Sequence, residues 1–283
     1  MPLASTRADR SAGPWHLDPK RATPRAKPAE RIEGWLRALG TGFLFAIFGV
    51  GGVMLAYAVI PAANLGRQGR VARELRAQRI IHRAFRAFIW LGEALRLFEL
   101  AESGSERLRD APGLVVANHP TLLDVVFLIS RMPQADCIVK REAWSNPFLR
   151  GIVSAAGYVP NDEGEELVAA CIARVTAGRQ VVLFPEGTRS PASGLGRFHR
   201  GAAHVALRCG CRVTPVVIEC DPPALMKGQP WYALPNRRLR YRMRVGVPFT
   251  ATAERGEPQS VAVRRVTAEL RGVFEAGLDH GIA

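Results

Sequence analysis

Residues 114–124 read LVVANHPTLLD, and this stretch decides the fold. The apolar run that opens it is typical of a buried strand, and Pro120 both ends that strand and presets the backbone of an entering helix. The stretch therefore predicts a strand, a tight turn and a helix in immediate succession. In such a unit His119 lies at the carboxyl end of the strand, and Asp124 lies in the first helical turn.

Short apolar runs alternate with helical patterns along the rest of the chain. The predicted strands cover residues 114–117, 137–139, 180–184, 212–219 and 239–247. The predicted helices cover residues 124–130, 165–177, 201–208 and 261–275. Strands that alternate with helices predict an α/β domain, in which helices flank a mixed sheet.

An apolar segment precedes this domain. Residues 38–66 contain neither a charged residue nor a histidine, and residues 43–60 read FLFAIFGVGGVMLAYAVI. About 20 apolar residues span a bilayer, so we expect a membrane anchor over residues 35–66. Three glycines near its middle and basic residues on both sides would suit a re-entrant hairpin, and a spanning helix stays open beside it. A buried core helix is the remaining interpretation.

Basic residues dominate the chain, whose formal net charge of +14 indicates an anionic partner. Residues 1–34 are rich in Pro, Arg and Ala without an apolar period and are expected to form a flexible basic arm; a transit peptide would share this composition. Residues 70–98 place apolar side chains at helical spacing between arginines. They predict a basic amphipathic helix, at the start of a domain over residues 67–283, that lies on anionic lipid or packs on the domain.

The five cysteines predict no metal site. The one close pair, Cys209 and Cys211, has a spacing that is not a zinc signature. All five lie in apolar-rich stretches, where buried free thiols are expected, and this favours a reducing compartment.

His119 and Asp124 are a candidate catalytic pair. On a continuous helix they would lie about 140° apart, but across a strand-to-helix turn they can meet. A carboxylate on one imidazole nitrogen fixes the tautomer and makes the other nitrogen a general base. With no Ser or Cys placed nearby as a nucleophile, the nucleophile would be a hydroxyl of the substrate. An alternative stays open, because Thr121 and Asp124 also have the spacing of a capping box.

A second polar turn follows the strand at residue 180, where residues 184–190 read FPEGTRS. Gly187 allows close approach of the backbone to a ligand, and Arg189 supplies a fork for phosphate. Thr188 and Ser190 supply hydroxyls. Without further context the same residues also fit an ordinary polar turn.

Together these motifs resemble those of the glycerolipid acyltransferase family. NHPTLLD at 118–124 is similar to its His-x4-Asp motif, and FPEGTRS at 184–190 to its Glu-Gly-Thr-Arg motif. Lys140 and the residues after it resemble the family's basic second motif, and VTPV at 213–216 resembles its fourth. The resemblance covers residues from about 80 to 250.

The resemblance implies an O-acyltransferase of phospholipid biosynthesis, at a membrane and with its active site on the cytoplasmic face. His119 would deprotonate the acceptor hydroxyl, Asp124 would orient His119, and backbone N–H groups would hold the oxyanion. The substrate-binding residues would be Lys140, Glu186, Gly187, Thr188 and Arg189. The donor would be acyl-CoA or acyl carrier protein, the acceptor a lysolipid, and no cofactor or metal is expected.

One position departs from the family pattern. Members that act on lysophosphatidate usually carry an arginine where this chain has Asn161 and Asp162. We therefore expect lysophosphatidate to be a poor acceptor, unless Arg150 or Arg197 replaces the missing cation. The alternatives are the same chemistry on an ornithine-type or polyene-type lipid, and a catalytically dead basic membrane adaptor. No recognised motif supports binding to nucleic acid.

Overall fold

The computed structural model describes residues 28–66, 69–109, 112–161, 164–230, 232–233, 235 and 237–279. Its helices are α1 Pro28–Met54, α2 Ile60–Ala63, α3 Arg70–Ala94, α4 Asp124–Ile129, α5 Glu142–Ser145, α6 Arg150–Ala155, α7 Glu165–Thr176, α8 Gly201–Cys209 and α9 Gln259–Asp279. Its strands are β1 Phe98–Ser103, β2 Gly113–Ala117, β3 Asp136–Val139, β4 Val159–Pro160, β5 Gln180–Leu183, β6 Arg212–Asp221, β7 Leu239–Val245 and β8 Phe249–Thr250.

These strands form one mixed sheet in the order β1-β7-β6-β2-β5-β3-β4, with β8 paired to the start of β6. Every neighbouring pair is parallel except β6 with β7 and β6 with β8. The predicted fold class is therefore confirmed. Because β6, β2, β5, β3 and β4 run in the same direction, the loops that leave their carboxyl ends lie along one edge of the sheet, called here the carboxyl edge.

Side chains alternate between the two faces of β2 and enter two separate cores. Val115 and Ala117 belong to the core that also contains residues of α1, α3, α4 and α6. Leu114 and Val116 belong to the core that contains residues of α7, α8 and α9. All five residues of β2 are buried, so the strand is covered by helices on both faces.

The predicted strands and helices all form, and their ends differ from the prediction by up to four residues. The helix predicted over residues 70–98 is the clearest correction, because α3 ends at Ala94. The N–H groups of Leu97 and Arg96 donate to the carbonyls of Gly92 and Glu93, and Arg96 has a left-handed φ of 55°. This is the hydrogen-bond pattern of a Schellman motif, with an arginine where glycine usually marks the helix end.

The N-terminal segment is helical from Pro28 and continues beyond α1 through the π-helical turn Leu55–Val59 into α2. In the described part of the chain, Gly34–Ala63 is the one helical stretch long and apolar enough to cross a membrane, and 22% of its most apolar window is buried. Of the predicted arm over residues 1–34, residues 1–27 lie outside the described residues.

One side of the N-terminal segment packs on the domain, and the other is exposed. A Cβ atom added at Gly151 of α6 would lie 2.6 Å from the Cβ of Ala56, so the two helices approach closely there. The opposite side leaves large apolar residues exposed, among them Trp35, Leu39 and Phe43. An exposed apolar surface of this kind favours contact with lipid or with another protein.

Candidate active site

The carboxyl edge brings His119 and Asp124 together. The Nδ1 atom of His119 lies 2.8 Å from Oδ2 of Asp124, so the pair forms across the turn between β2 and α4. Asp124 is completely buried, whereas the His119 side chain is 18% exposed. Because the carboxylate accepts the Nδ1 proton, Nε2 on the other side of the ring is left as the basic nitrogen.

Thr121 also holds the carboxylate of Asp124, with one hydrogen bond to each of its oxygen atoms. Its backbone N–H donates to Oδ2 of Asp124 at 2.7 Å, and its hydroxyl donates to Oδ1 at 2.6 Å. The first of these bonds is half of a capping box. Asp124 therefore contacts His119 and the backbone of Thr121 at once, so the contact expected of the candidate pair and the contact expected of a capping box are both present.

Glu186 joins the loop after β2 to the loop after β5. Its Oε1 atom accepts the backbone N–H of His119 at 3.2 Å and the hydroxyl of Ser190 at 2.6 Å. Its Oε2 atom accepts the backbone N–H of Gly196 at 2.7 Å, and Ser190 N–H returns a bond to the His119 carbonyl at 2.7 Å. The buried carboxylate thus fixes the backbone of His119.

Three more side chains complete the support of the histidine: Ser190 was expected to supply a hydroxyl, whereas no role was predicted for Phe184 or Asn118. The ring of Phe184 stacks on that of His119, with centroids 4.4 Å apart. The Asn118 amide binds both backbone groups of Ile218 on β6, at 2.8 and 2.7 Å. Ser190 is the third, through the bonds to Glu186 and His119 described above. A buried amide directly after an apolar strand was the available signal for Asn118.

Arg189 lies on the same loop, and two backbone carbonyls engage it. Its Nη1 atom donates to Leu225 and Met226, each at 3.0 Å. A guanidinium carries five N–H donors, and among the described residues Nε and Nη2 of Arg189 donate no hydrogen bond, so both can bind an anion. Gly187 and Thr188 precede Arg189 and are half-buried, and Gly187 adopts a left-handed φ of 64° that suits its glycine.

Lys140 and Asn161 lie further along the carboxyl edge. Lys140 follows β3 and is exposed, and Asn161 follows β4 and donates its N–H to the Val139 carbonyl at 2.8 Å. Asp162 lies outside the described residues. Arg150 begins α6 and is exposed.

An apolar cleft opens between α1, α3 and the connection from β6 to β7. Leu123, the neighbour of Asp124, contributes to its wall. Other residues that line the cleft are Leu44, Phe88, Leu97, Leu225 and Leu239. Thr41, Arg37 and Arg237 also line the cleft, so its wall is mostly but not wholly apolar.

The cysteines take no part in this arrangement. Cys137, Cys171 and Cys220 are buried, Cys209 and Cys211 are half-buried, and all five are free thiols. Burial raises the pKa of the Cys137 and Cys220 thiols to about 12, which keeps them protonated and unreactive. Among the described residues, no cluster of three or more His, Cys, Asp or Glu is placed to hold a metal ion.

Comparison with known proteins shows which family and which proteins this chain is similar to. Residues 99–219 match the model of the family described as Acyltransferase. The chain is 30% identical over 142 residues to the chloroplastic 1-acyl-sn-glycerol-3-phosphate acyltransferase of Arabidopsis thaliana, a match that covers 47% of this chain and 40% of that protein. It is 25% identical over 137 residues to the 1-acyl-sn-glycerol-3-phosphate acyltransferase of Pseudomonas aeruginosa, covering 45% and 52% respectively. The matches thus span about half the length of these relatives.

The fold has a counterpart among solved structures. The crystal structure of the 1-acyl-sn-glycerophosphate acyltransferase of Thermotoga maritima superimposes with a TM-score of 0.63 at 19% identity. The superposition covers 89% of this chain and 98% of that one. The family match identifies residues 99–219 as an Acyltransferase domain, and the superposition shows the same fold. Residues 99–219 thus match the Acyltransferase family, and the relatives support the resemblance to glycerolipid acyltransferases that the motifs predicted.

Proposed function

We propose that this chain transfers a fatty acyl group from a thioester donor, acyl-CoA or acyl carrier protein, to a hydroxyl of a lysophospholipid. The observation that carries the proposal is the contact of 2.8 Å between His119 and the buried Asp124. The relatives support it through their names, each of which is a 1-acyl-sn-glycerol-3-phosphate acyltransferase.

The proposed reaction needs no nucleophile from the chain. Nε2 of His119 removes the proton of the acceptor hydroxyl, while Asp124 stabilises the imidazolium that forms. The acceptor oxygen attacks the thioester carbonyl and gives a tetrahedral intermediate. Its collapse forms the ester and expels the donor thiolate, which takes the proton from His119.

The acceptor's head group is proposed to bind along the carboxyl edge, to Arg189 and Lys140. The names of the relatives favour lysophosphatidate as the acceptor. One observation favours a second candidate, a less charged lysolipid such as an ornithine-type or polyene-type lipid. Asn161, at the end of β4, carries no charge to match the nearly doubly charged phosphomonoester of lysophosphatidate.

We also propose that the chain acts at the cytoplasmic face of an anionic membrane. The exposed apolar side of α1 supports insertion into lipid, whether as a span or as a re-entrant segment. On α3 the exposed arginines Arg73, Arg79, Arg83 and Arg86 support contact with anionic head groups.

The test is direct assay of the purified full-length chain in lipid vesicles. Labelled acyl-CoA and labelled acyl carrier protein are each offered with a panel of lysolipids, and the products are identified by mass spectrometry. We expect an acylated lysolipid whose formation requires His119. Vesicle binding without any acyl product from the panel would instead support a catalytically dead membrane adaptor.

A further inference from the structure

The connection after β6 contains an unusual backbone conformation. Residues 222–230 are called here the Leu225 loop. Leu225 has a φ of 56°, in the left-handed region that branched residues rarely adopt. Ala224 and Leu225 are both buried, at 0% and 4% exposure. A buried leucine in this conformation persists only where its surroundings fix it.

Hydrogen bonds from both catalytic motifs fix this loop. The N–H of Leu122, within the His-x4-Asp motif, donates to the Leu225 carbonyl at 3.1 Å. Arg189, from the Glu-Gly-Thr-Arg motif, donates to the carbonyls of Leu225 and Met226 at 3.0 Å each. Bonds from a charged donor are stronger than neutral ones, so Arg189 makes the larger contribution.

The side chain that these bonds position lines the apolar cleft. Leu225 and Leu123 are both part of its wall, and Leu123 lies between Leu122 and Asp124 in the chain. Because Leu122 and Arg189 bind the same carbonyl, the position of this wall is fixed relative to the catalytic pair. A change in the Arg189 contact therefore changes the width of the cleft beside the reacting atoms.

We propose that Arg189 is a positioning residue for the acyl chain: by holding the Leu225 and Met226 carbonyls, it sets the wall of the cleft and thereby the chain length that the enzyme accepts. This inference rests on the acyl transfer proposed above and adds to the head-group role of Arg189. The two roles are compatible, because Nη1 binds the loop and Nε and Nη2 are left for the phosphate.

The two roles of Arg189 predict different kinetic signatures. A residue that binds only the head group lowers kcat/KM by the same factor for every acyl chain. A residue that sets the wall of the cleft changes the ratio of kcat/KM between long and short chains. Leu225→Ala widens the same wall without touching the head group and therefore serves as a reference for the second signature.

The experiment uses the full-length protein in vesicles and two series of substrates. In one arm the acyl-CoA donor is short, medium or long and the acceptor is constant, and in the other arm the acceptor's chain varies and the donor is constant. We expect Arg189→Met and Leu225→Ala to shift the long-to-short ratio in the same direction by about tenfold, in the arm whose chain occupies the cleft. The control Arg264→Met, at an exposed position of α9, leaves the ratio unchanged.

The proposal would be overturned if Arg189→Met lowers kcat/KM by the same factor for all chain lengths in both arms while Leu225→Ala shifts the long-to-short ratio. If Arg189→Met does not fold, Arg189→Lys keeps the charge but loses the planar fork, and the same shift is expected. If the wild-type chain acylates no lysolipid, the proposed function fails separately. Binding of non-hydrolysable acyl-CoA thioethers and of lysolipids, each with short and long chains, then still tests the wall, since the chain-length dependence of Kd must differ between wild type and Arg189→Met for one of the two ligands.

Discussion

At the residue scale, the buried carboxylate of Asp124 holds a side chain and a backbone group at the same time. Its Oδ2 atom accepts both the imidazole of His119 and the backbone N–H of Thr121. The backbone bond helps to keep the carboxylate facing the ring, so the geometry of the proposed base is present before any substrate binds. Such preorganisation contributes to catalysis because no reorganisation is needed during the reaction.

The first prediction tests His119 as the base. His119→Ala is expected to lower turnover by roughly 10²–10⁴-fold, the usual contribution of a general base, without unfolding the protein. The assay is acyl transfer by the full-length chain, with circular dichroism as a check of folding. His204→Ala, on α8, is the matched control and should keep wild-type turnover. Near-normal turnover of His119→Ala would exclude the mechanism.

The second prediction concerns Asn161 and the acceptor. If the absent cation limits binding of a phosphomonoester, Asn161→Arg should raise kcat/KM for lysophosphatidate relative to a less charged lysolipid by about tenfold, the worth of one charge-assisted contact. Ser154→Arg, at an exposed position of α6, adds the same charge elsewhere and controls for net charge. The hypothesis that the absent cation limits phosphomonoester binding would be refuted by two results together: the wild-type chain already prefers lysophosphatidate, and Asn161→Arg leaves that preference unchanged.

At the scale of elements, an ion cluster joins α3 to the sheet and to α7. Arg179 binds Glu74 at 3.1 Å and Asp136 at 2.7 Å, and Arg174 binds Asp136 at 3.0 Å. Asp136 is completely buried, and Gly157 packs so closely on Glu74 that a Cβ atom there would lie 2.3 Å from its carboxyl carbon. The basic helix is therefore tied to the domain by buried charges as well as by apolar contacts.

A third prediction follows from Glu74. Burial raises its pKa, but the bonds from Arg70 and Arg179 and the charge of Arg174 outweigh this and hold the pKa below 4.5. A lowered folded-state pKa gives stability that is present above the unfolded value and is lost as the pH falls through the folded value.

Glu74→Gln should therefore lower the free energy of unfolding at neutral pH by about 3 kcal/mol, because a buried charge is removed and the half-buried Arg174 and Arg179 each lose one of their two carboxylate partners. The difference from wild type should shrink once the pH is well below 4.5. Urea unfolding of both proteins across this range measures it. The control is Glu166→Gln, exposed at the start of α7, which should show neither effect. If the difference in free energy of unfolding between Glu74→Gln and wild type stays constant with pH, the lowered pKa of Glu74 does not contribute to stability.

The sequence predicted the elements better than it predicted the contacts between them. The apolar periodicity and the first motif were enough to predict the central strands and the contact between His119 and Asp124, because both are local in the chain. The end of α3 was missed since Arg96 occupies the position of a helix-ending glycine. The Leu225 loop was missed because its role depends on Arg189, 36 residues earlier, and on a conformation that no pattern of leucines indicates.

At the scale of the whole molecule, strand order was beyond the reach of the sequence. β7 is inserted antiparallel between β6 and parallel β1, and this arrangement places the connection after β6 over the cleft. Such pairings depend on packing between distant segments. What could be predicted was the consequence of parallel strands, namely that polar residues after successive strands meet at one edge.

The fourth prediction concerns membrane attachment. Deletion of residues 1–66 should release much of the protein from anionic vesicles, and the arginines of α3 should retain a fraction that falls as salt rises. Vesicle co-sedimentation at low and high salt measures both. The deletion also removes buried contacts of Leu44 and Ile60, so a second variant is needed.

That variant replaces the exposed residues Trp35, Leu39 and Phe43 with serine and leaves the packed side of α1 intact. It should weaken vesicle binding while thermal unfolding stays unchanged. Val247→Ser, equally exposed but distant from α1 in the chain, is the control and should bind as the wild type does. A full-length chain that stays in solution without detergent or vesicles would contradict the anchor.

The residues proposed to bind substrate and the ion cluster that holds α3 lie at opposite edges of the sheet. The residues proposed for substrate binding all lie in loops at the carboxyl edge, whereas the ion cluster forms at the start of β3 and just before β5. Loops at the carboxyl edge can therefore be exchanged between relatives without disturbing the ion cluster. If the Leu225 loop sets the accepted chain length, transplanting residues 222–230 from a homologue should transfer that homologue's chain-length preference to this chain. Exchange of this loop would then be a way to change the lipid product by design.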